Sequence, residues 1–394
     1  MNSYHHFLGQ LGVLLGAKEP GQNFFKELRF EEDKLFEKCL FHQMVPQVYQ
    51  YREPLQSLYP QLSAAFFQQV RDYTIVNTTR IMLYESFLKE LAGLFAVQGI
   101  EFRLLKGPGL AEQLYAESYL RSFGDLDILI RVQDLERVDK SLLDLGFACA
   151  DDLYSSFPDA VARKYRLARH YIRHQPNELA VDLHLNIGSR LHPIQFRSSD
   201  FWDNPKVVRI GEVQVLTFHD TANVIYLLYH ALKHYYFKMI WLLDIHYALD
   251  TWAIDEPLFA TLLQRYDMSR MWRLFRQLRN EIFCSETDSE MSAESIRGGV
   301  LSRIARPETV FGGVLPWSHS LSRLILPMLY LSSWRRKFVY LWHQLFPPRA
   351  MVQECYRAGQ YKAGWKCYLL NRSRAIWELI RMGWKAMRKG AANV

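Results

Sequence analysis

Apolar residues recur at spacings of three and four along FEEDKLFEKCLFHQM and again from Leu62 to Val97, with few Gly or Pro between them. That period gathers apolar side chains on one helix face, so residues 1–97 are predicted as a helical region. In the second run Ile81, Leu88, Leu91 and Phe95 share a face, which reads as a packing surface. The texture changes at Gly99. GIEFRLLKGPG reads as a short apolar strand closed by a Gly/Pro turn, and GLAEQLY begins a helical pattern. GDLDILIRV is a second strand, DLERVDKSLLDLGF a helix ending near Gly146, and ELAVDLHLNI a third strand. Strand, helix, strand, helix, strand is the alternation of an α/β unit. From Thr217 onward the pattern is helical again, starting with DTANVIYLLYHALKHYYFKMIWLLDIHYALDTW, and SETDSEMSAESIRGG reads as a polar loop between helical groups. The expected organisation is a helical region over 1–97, a core over 98–216, a helical domain over 217–330 that completes a cleft, and a helical tail over 331–394.

Composition leaves that picture intact and adds a charge asymmetry. The chain has 394 residues, 49% of them hydrophobic, which is ample for two or three folding units. Of the formal charge of +7, residues 331–394 carry 13 Lys and Arg against two Glu, a local +11 that leaves the remainder at −4. The five cysteines are scattered, odd in number and form no CxxC pair, so neither a zinc ribbon nor a disulfide framework is indicated, which fits a reducing cytoplasm. The N-terminus has no basic segment ahead of its short apolar stretch, and the most apolar later segments are broken by His and Lys or too short for a bilayer span. A soluble, cytoplasmic protein is expected.

Candidate chemistry concentrates in the predicted core. In an extended strand Asp125 and Asp127 project from one face while Leu126 and Ile128 project from the other. Two carboxylates on one face can share Mg²⁺, a hard cation that binds carboxylates together with substrate phosphates and serves phosphoryl and nucleotidyl displacement. Mn²⁺ suits the same ligands. The alternation recurs in ELAVDLHLNI, which puts Asp182, His184 and Asn186 on one face. Asp182 would complete the metal site or accept the proton of an attacking hydroxyl, with His184 close by, either orienting Asp182 or contacting a nucleotide. Upstream, Gly107 and Gly109 stand where a strand passes into a helix, so backbone N–H groups can approach a triphosphate, and Lys106 and Arg121 add positive charge.

FRLLKGPGLAEQLY, YLRSFGDLDILI and VDLHLNI together resemble the bacterial uncharacterised nucleotidyltransferase family, a branch of the DNA polymerase β-like superfamily. The resemblance continues into HALKHYYFKMIWLLDIHYAL and, more weakly, into LFPPRAMVQECY and YLLNRSRA. It implies an α+β fold, a mixed-sheet core flanked by helical regions. It also implies metal-dependent transfer of a nucleoside monophosphate from ATP or another NTP, in a biosynthetic setting such as polysaccharide or modified-peptide production. Asp125, Asp127 and Asp182 match the superfamily's three acidic positions. The glycine motif departs, since Gly107 is followed by Pro108 rather than Gly or Ser, and the resemblance to this branch implies that Lys106-Gly107 takes its place.

Three other features have plainer readings. His230 and His234 stand four apart as zinc ligands on a helix can, but HALKH lacks the Glu of HExxH, and a cleft-lining face accounts for them. Trp241 and Asp244 are placed to close the cleft, or Trp241 to fill the core. The basic aromatic tail reads first as a solvated helix, then as a surface for an anionic membrane or another polyanion, with no specific nucleic-acid recognition expected. Besides the transferase reading, the pattern leaves a catalytically idle scaffold that docks a membrane or biosynthetic partner, and an enzyme that modifies proteins with a nucleotide.

Overall fold

Among the described residues the chain opens with α1 (Ser3–Leu15), α2 (Glu32–Phe41), α3 (Val45–Gln50), α4 (Arg52–Leu58) and the long α5 (Ala64–Val97). Ser63 starts α5 by accepting a hydrogen bond from the backbone N–H of Phe66 at 3.1 Å, satisfying one of the donors a helix N-terminus leaves open. The computed structural model describes residues 3–16, 29–150, 168–188, 192–234, 238–283, 310–311 and 328–345. The polar segment 285–299, the tail beyond 345, and with it nearly all of LFPPRAMVQECY and the whole of YLLNRSRA, lie outside the described residues.

The core follows as β1 (Phe102–Leu104), α6 (Pro108–Leu114), β2 (Leu126–Ile130), α7 (Leu135–Asp144), β3 (Ala148–Cys149), β4 (Arg169–Arg173) and β5 (Leu179–His184). The five strands form one sheet in the order β1-β2-β5-β4-β3, with β2 and β5 parallel and the other pairs antiparallel. This is the α+β, mixed-sheet arrangement expected. The short helix α8 (Ser199–Trp202) and the hairpin of β6 (Lys206–Ile210) and β7 (Val213–Thr217) come next. The helices α9 (Asp220–Lys233), α10 (Met239–Thr251), α11 (Glu256–Arg265), α12 (Ser269–Phe283) and α13 (Trp334–Leu345) complete the described chain.

Two apolar clusters cover the two faces of the sheet. Leu126, Ile128, Ile130, Val181 and Leu183 face a cluster shared with α7, β6, β7 and the second half of α5, where Ile81, Leu88, Leu91 and Phe95 are all buried. Leu129 turns to the opposite face and joins the helical cluster, which takes in α9 to α12 and the first half of α5. Because α5 contributes to both clusters, it fixes the helical layer against the sheet. Burial of each such large side chain contributes about 1.5–3 kcal/mol. Nearly every residue of α9 is buried, so this helix, apolar on all sides, runs through the core. No helix among the described residues is long and apolar enough to cross a membrane.

Candidate active site

Strand pairing builds the site. The parallel register of β2 and β5 sets Asp127 beside Asp182, and the antiparallel register of β4 sets His170 beside Asp182. Adjacent strands in register point opposed residues to the same side, so Asp127, Asp182 and His170 form a row across three strands. Leu105 N–H donates to the Asp127 carbonyl at 3.0 Å, which holds β1 and the turn after it against β2.

That turn needs Gly107. Its φ of +59° and ψ of −123° lie where a side chain is strained, and it hands the chain into α6. A Cβ at Gly109 would stand 3.1 Å from Leu104, so the helix start packs closely on β1. The turn delivers the Lys106 ammonium to Asp127 Oδ2 at 2.9 Å. His184 Nε2 meets the other oxygen, Oδ1, at 3.0 Å, and His170 Nδ1 pairs with Asp182 Oδ1.

The N-terminal helices position the entry to β2. Tyr84 on α5 donates to the Gly124 carbonyl at 2.6 Å and accepts from Ala180 N–H at 3.0 Å, so one hydroxyl ties the residue before Asp125 to the start of β5. Asn77 donates to the Tyr119 carbonyl at 3.2 Å, and Gln47 donates to that of Leu120.

The charges are unequal. Asp127 is 2% exposed. Burial pushes its carboxyl up, but the Lys106 charge and the His184 hydrogen bond outweigh it and hold Asp127 well below the usual carboxylate range. Asp125 moves the other way, to about 6, because the Asp127 charge and burial together exceed the pull of Lys106. Burial opposes the Lys106 charge, yet Asp127 and Asp125 raise its pKa, so it stays protonated. Three carboxylates thus share one firmly held lysine, an excess of negative charge that a divalent cation would offset.

The donor set fits such a cation. Among the described residues, Asp127, Asp182 and His184 each offer a ligand atom, all within 4.8 Å of one another. Two carboxylates and an imidazole gathered this closely are donors that a divalent cation could share. Asp125 stands outside this set and belongs to the site by its charge coupling with Asp127.

The remaining sequence candidates fall at the edge of the site or behind it. His184 bonds Asp127 rather than Asp182, whose imidazole partner is His170. Arg121, expected at the triphosphate, is 4% exposed and gives Nε and Nη2 to the Asp244 oxygens at 2.9 and 2.8 Å. Tyr115 donates to the same carboxylate at 2.7 Å, so Asp244 closes a buried contact between α10 and the segment entering β2. His230, His234 and Trp241 pack ring to ring at 4.8–5.2 Å. Burial drives the pKa of His230 well below its ordinary value and that of His234 down to about 3, with Lys106 adding to both. Both rings are therefore neutral beside the site, and neither joins a three-ligand group among the described residues.

Sequence reasoning missed His170 and Tyr226. Tyr226 on α9 feels the charges of Asp127 and Asp125, and burial raises its pKa well above 10, so it keeps its proton. His170 lies in RHYIR, whose charged ends hide a strand pattern. Its signal was the pairing of HYI with AVD, visible once β5 has a neighbour.

Against this geometry, a family model described as uncharacterised nucleotidyltransferase matches residues 29–284, more than half of the chain and all of the residues that build the site. A comparison with curated proteins finds no match. The chain belongs to the uncharacterised nucleotidyltransferase family.

Proposed function

We propose that the protein transfers a nucleoside monophosphate from a nucleoside triphosphate, ATP being the first candidate, to a hydroxyl or phosphate oxygen of an acceptor, with release of pyrophosphate. The observation that carries this reading is the in-register pair Asp127 and Asp182 with Lys106 at 2.9 Å from Asp127. Asp127, Asp182 and His184, with Asp125 at the rim, would hold Mg²⁺ or Mn²⁺. When bound, the ion supplies charge that offsets the phosphates and the carboxylates.

The chain's own groups account for the rest. The acceptor oxygen attacks the α-phosphorus, the bond from that phosphorus to the bridging oxygen breaks, and the electron pair leaves with pyrophosphate. Asp182 takes the acceptor's proton, and His170 holds its carboxylate in place. Lys106, released from Asp127 as the site fills, meets the triphosphate together with the backbone at Gly107 and Gly109. Tyr226 and the neutral His230 wall the site and exclude water.

Calorimetric binding of Mg-ATP to wild type and to the Asp125→Ala/Asp127→Ala double variant tests the metal site. The expected result is loss of binding in the variant, and unchanged binding would sink it. Labelled ATP incubated with the protein and a cell extract then reports whether label enters protein, lipid or small molecules. One feature favours an idle, nucleotide-binding scaffold: Pro108 follows Gly107 and offers neither a hydroxyl nor an N–H to a phosphate. Binding of Mg-ATP with no transfer of label to any fraction would establish that alternative.

A further inference from the structure

A cleft of about 460 Å³ opens beside Gly124, the residue that leads into Asp125. Volumes of ~300–1,000 Å³ accommodate small organic ligands. Its lining combines Glu37 and Phe41 of α2, Tyr73 and Arg80 of α5, Ser122 of the segment before β2, and Lys238 at the start of α10. Two of its walls therefore come from helices that precede the sheet. Lys106, Gly107 and Gly109, which the proposed function gives to the triphosphate, are not part of it.

Two buried polar atoms of this cleft lack the partners that such atoms normally have. Ser122 is 2% exposed and its hydroxyl has no hydrogen-bond partner among the described residues. Arg80 donates from Nη2 to Asn77 at 2.9 Å, but its buried Nε has no partner among the described residues. Neither Arg80 nor Lys238 forms an ion pair among the described residues. Lys238 stacks over Trp241 at 5.5 Å, which leaves its N–H donors for a ligand. Partial burial lowers the Lys238 pKa, with the Lys106 charge adding to that and the Asp125 charge opposing it. With Glu37 as the one carboxylate in the lining, the cleft carries a net positive charge beside a site that is net negative.

We infer that this cleft is the acceptor subsite and that the acceptor carries a phosphate monoester, held by Arg80, Lys238 and the Ser122 hydroxyl, with its organic part against Phe41 and Tyr73. A dianion matches two cations and a neutral donor. With the phosphate anchored there, a nearby hydroxyl of the same molecule would be directed past Gly124 toward Asp125 and the α-phosphorus. This inference rests on the proposed nucleotidyl transfer for the name acceptor, whereas the anion site stands on the cleft alone.

Calorimetric titration of the full chain with glycerol 3-phosphate and with glycerol, each with and without saturating Mg²⁺ and a non-hydrolysable ATP analogue, tests it. Wild type is expected to bind the phosphate monoester and not glycerol in both conditions. The Arg80→Ala/Lys238→Gln double variant is expected to lose at least about tenfold in that affinity, a change of ~1.4 kcal/mol, and to bind the ATP analogue within about twofold of wild type. Ser122→Ala, which removes one neutral donor, loses about threefold. Lys238→Arg, which keeps the charge, stays near wild type and guards against a folding artefact. Failure of wild type to bind glycerol 3-phosphate, or unchanged affinity in the double variant, overturns the anion site. Equal loss of the ATP analogue in the double variant overturns the acceptor assignment and gives the cleft to the nucleotide. If wild type fails to bind the analogue while glycerol 3-phosphate still binds through Arg80 and Lys238, the transferase reading fails and the anion cleft remains.

Discussion

Asp244 and Asp127 are buried to nearly the same degree, yet their surroundings differ in kind. Asp244 receives three hydrogen bonds from two side chains, and the charge of Arg121 cancels its own. Nothing is left for a ligand to do there. Asp127 has Lys106 and His184, but it also shares its surroundings with Asp125 and Asp182, so its neutralisation is incomplete. Completed ion pairs hold elements together, whereas incomplete ones are where cations and phosphates bind. The same contrast explains why Arg121, plausible in the sequence as a phosphate ligand, serves packing instead.

The comparison breaks most visibly at Asp244. Asp244→Ala strands the Arg121 guanidinium in the core, and the expected loss is about 3–5 kcal/mol in a denaturant titration. Asp244→Asn keeps an acceptor and costs less. If Asp244→Ala leaves stability unchanged, the pair is not structural. At Asp127 the larger effect falls on activity. Asp127→Asn is expected to lower label transfer by on the order of 10²–10³-fold while shifting the melting temperature by only a few degrees. Equal activity at ordinary metal concentrations would remove Asp127 from the site.

Much of this division was legible before any coordinates. The alternation in GDLDILI and ELAVDLHLNI located β2 and β5, whose pairing the structure supplies. The apolar stripe at Ile81, Leu88, Leu91 and Phe95 located the face of α5 that meets the sheet. What escaped notice depends on pairing across distance. Asp244 lies 123 residues from Arg121, and no local pattern tells a buried fork from a phosphate clamp. β4 carries Arg at both ends and gains its strand character from β5 on one side and β3 on the other. The hairpin β6–β7 was readable, since VVRI and VQVLT alternate around a Gly-Glu turn with Gly211 at φ +55°, but the helical texture after Thr217 drew the reading past it.

Asp125 sharpens the contrast through pH. The neighbouring Asp127 charge and burial lift its pKa to about 6, so below that value a proton competes with the metal for the site. Mg²⁺ affinity is expected to fall as pH drops below about 6 and to level off above it. A flat profile between pH 5 and 7 would show that Asp125 does not sense the ion.

The smallest effect is on the stability of the metal-free chain. An acid whose folded-state pKa is raised binds its proton more tightly folded than unfolded. The folded state therefore loses stability as pH rises from about 4 through about 6, and the penalty is complete above that range. Asp127, whose pKa is lowered, acts in the opposite sense and only as pH falls below the ordinary carboxylate range. Asp125→Asn removes the first penalty without adding charge. In a chelator at pH 8 it is expected to stabilise the protein by about 1 kcal/mol, the shift being discounted because Asp125 is partly exposed to solvent. That gain should vanish by pH 4, where wild-type Asp125 is already protonated in the folded state. A gain independent of pH would place its origin in packing at Gly124–Asp125 and not in the repulsion between the two carboxylates.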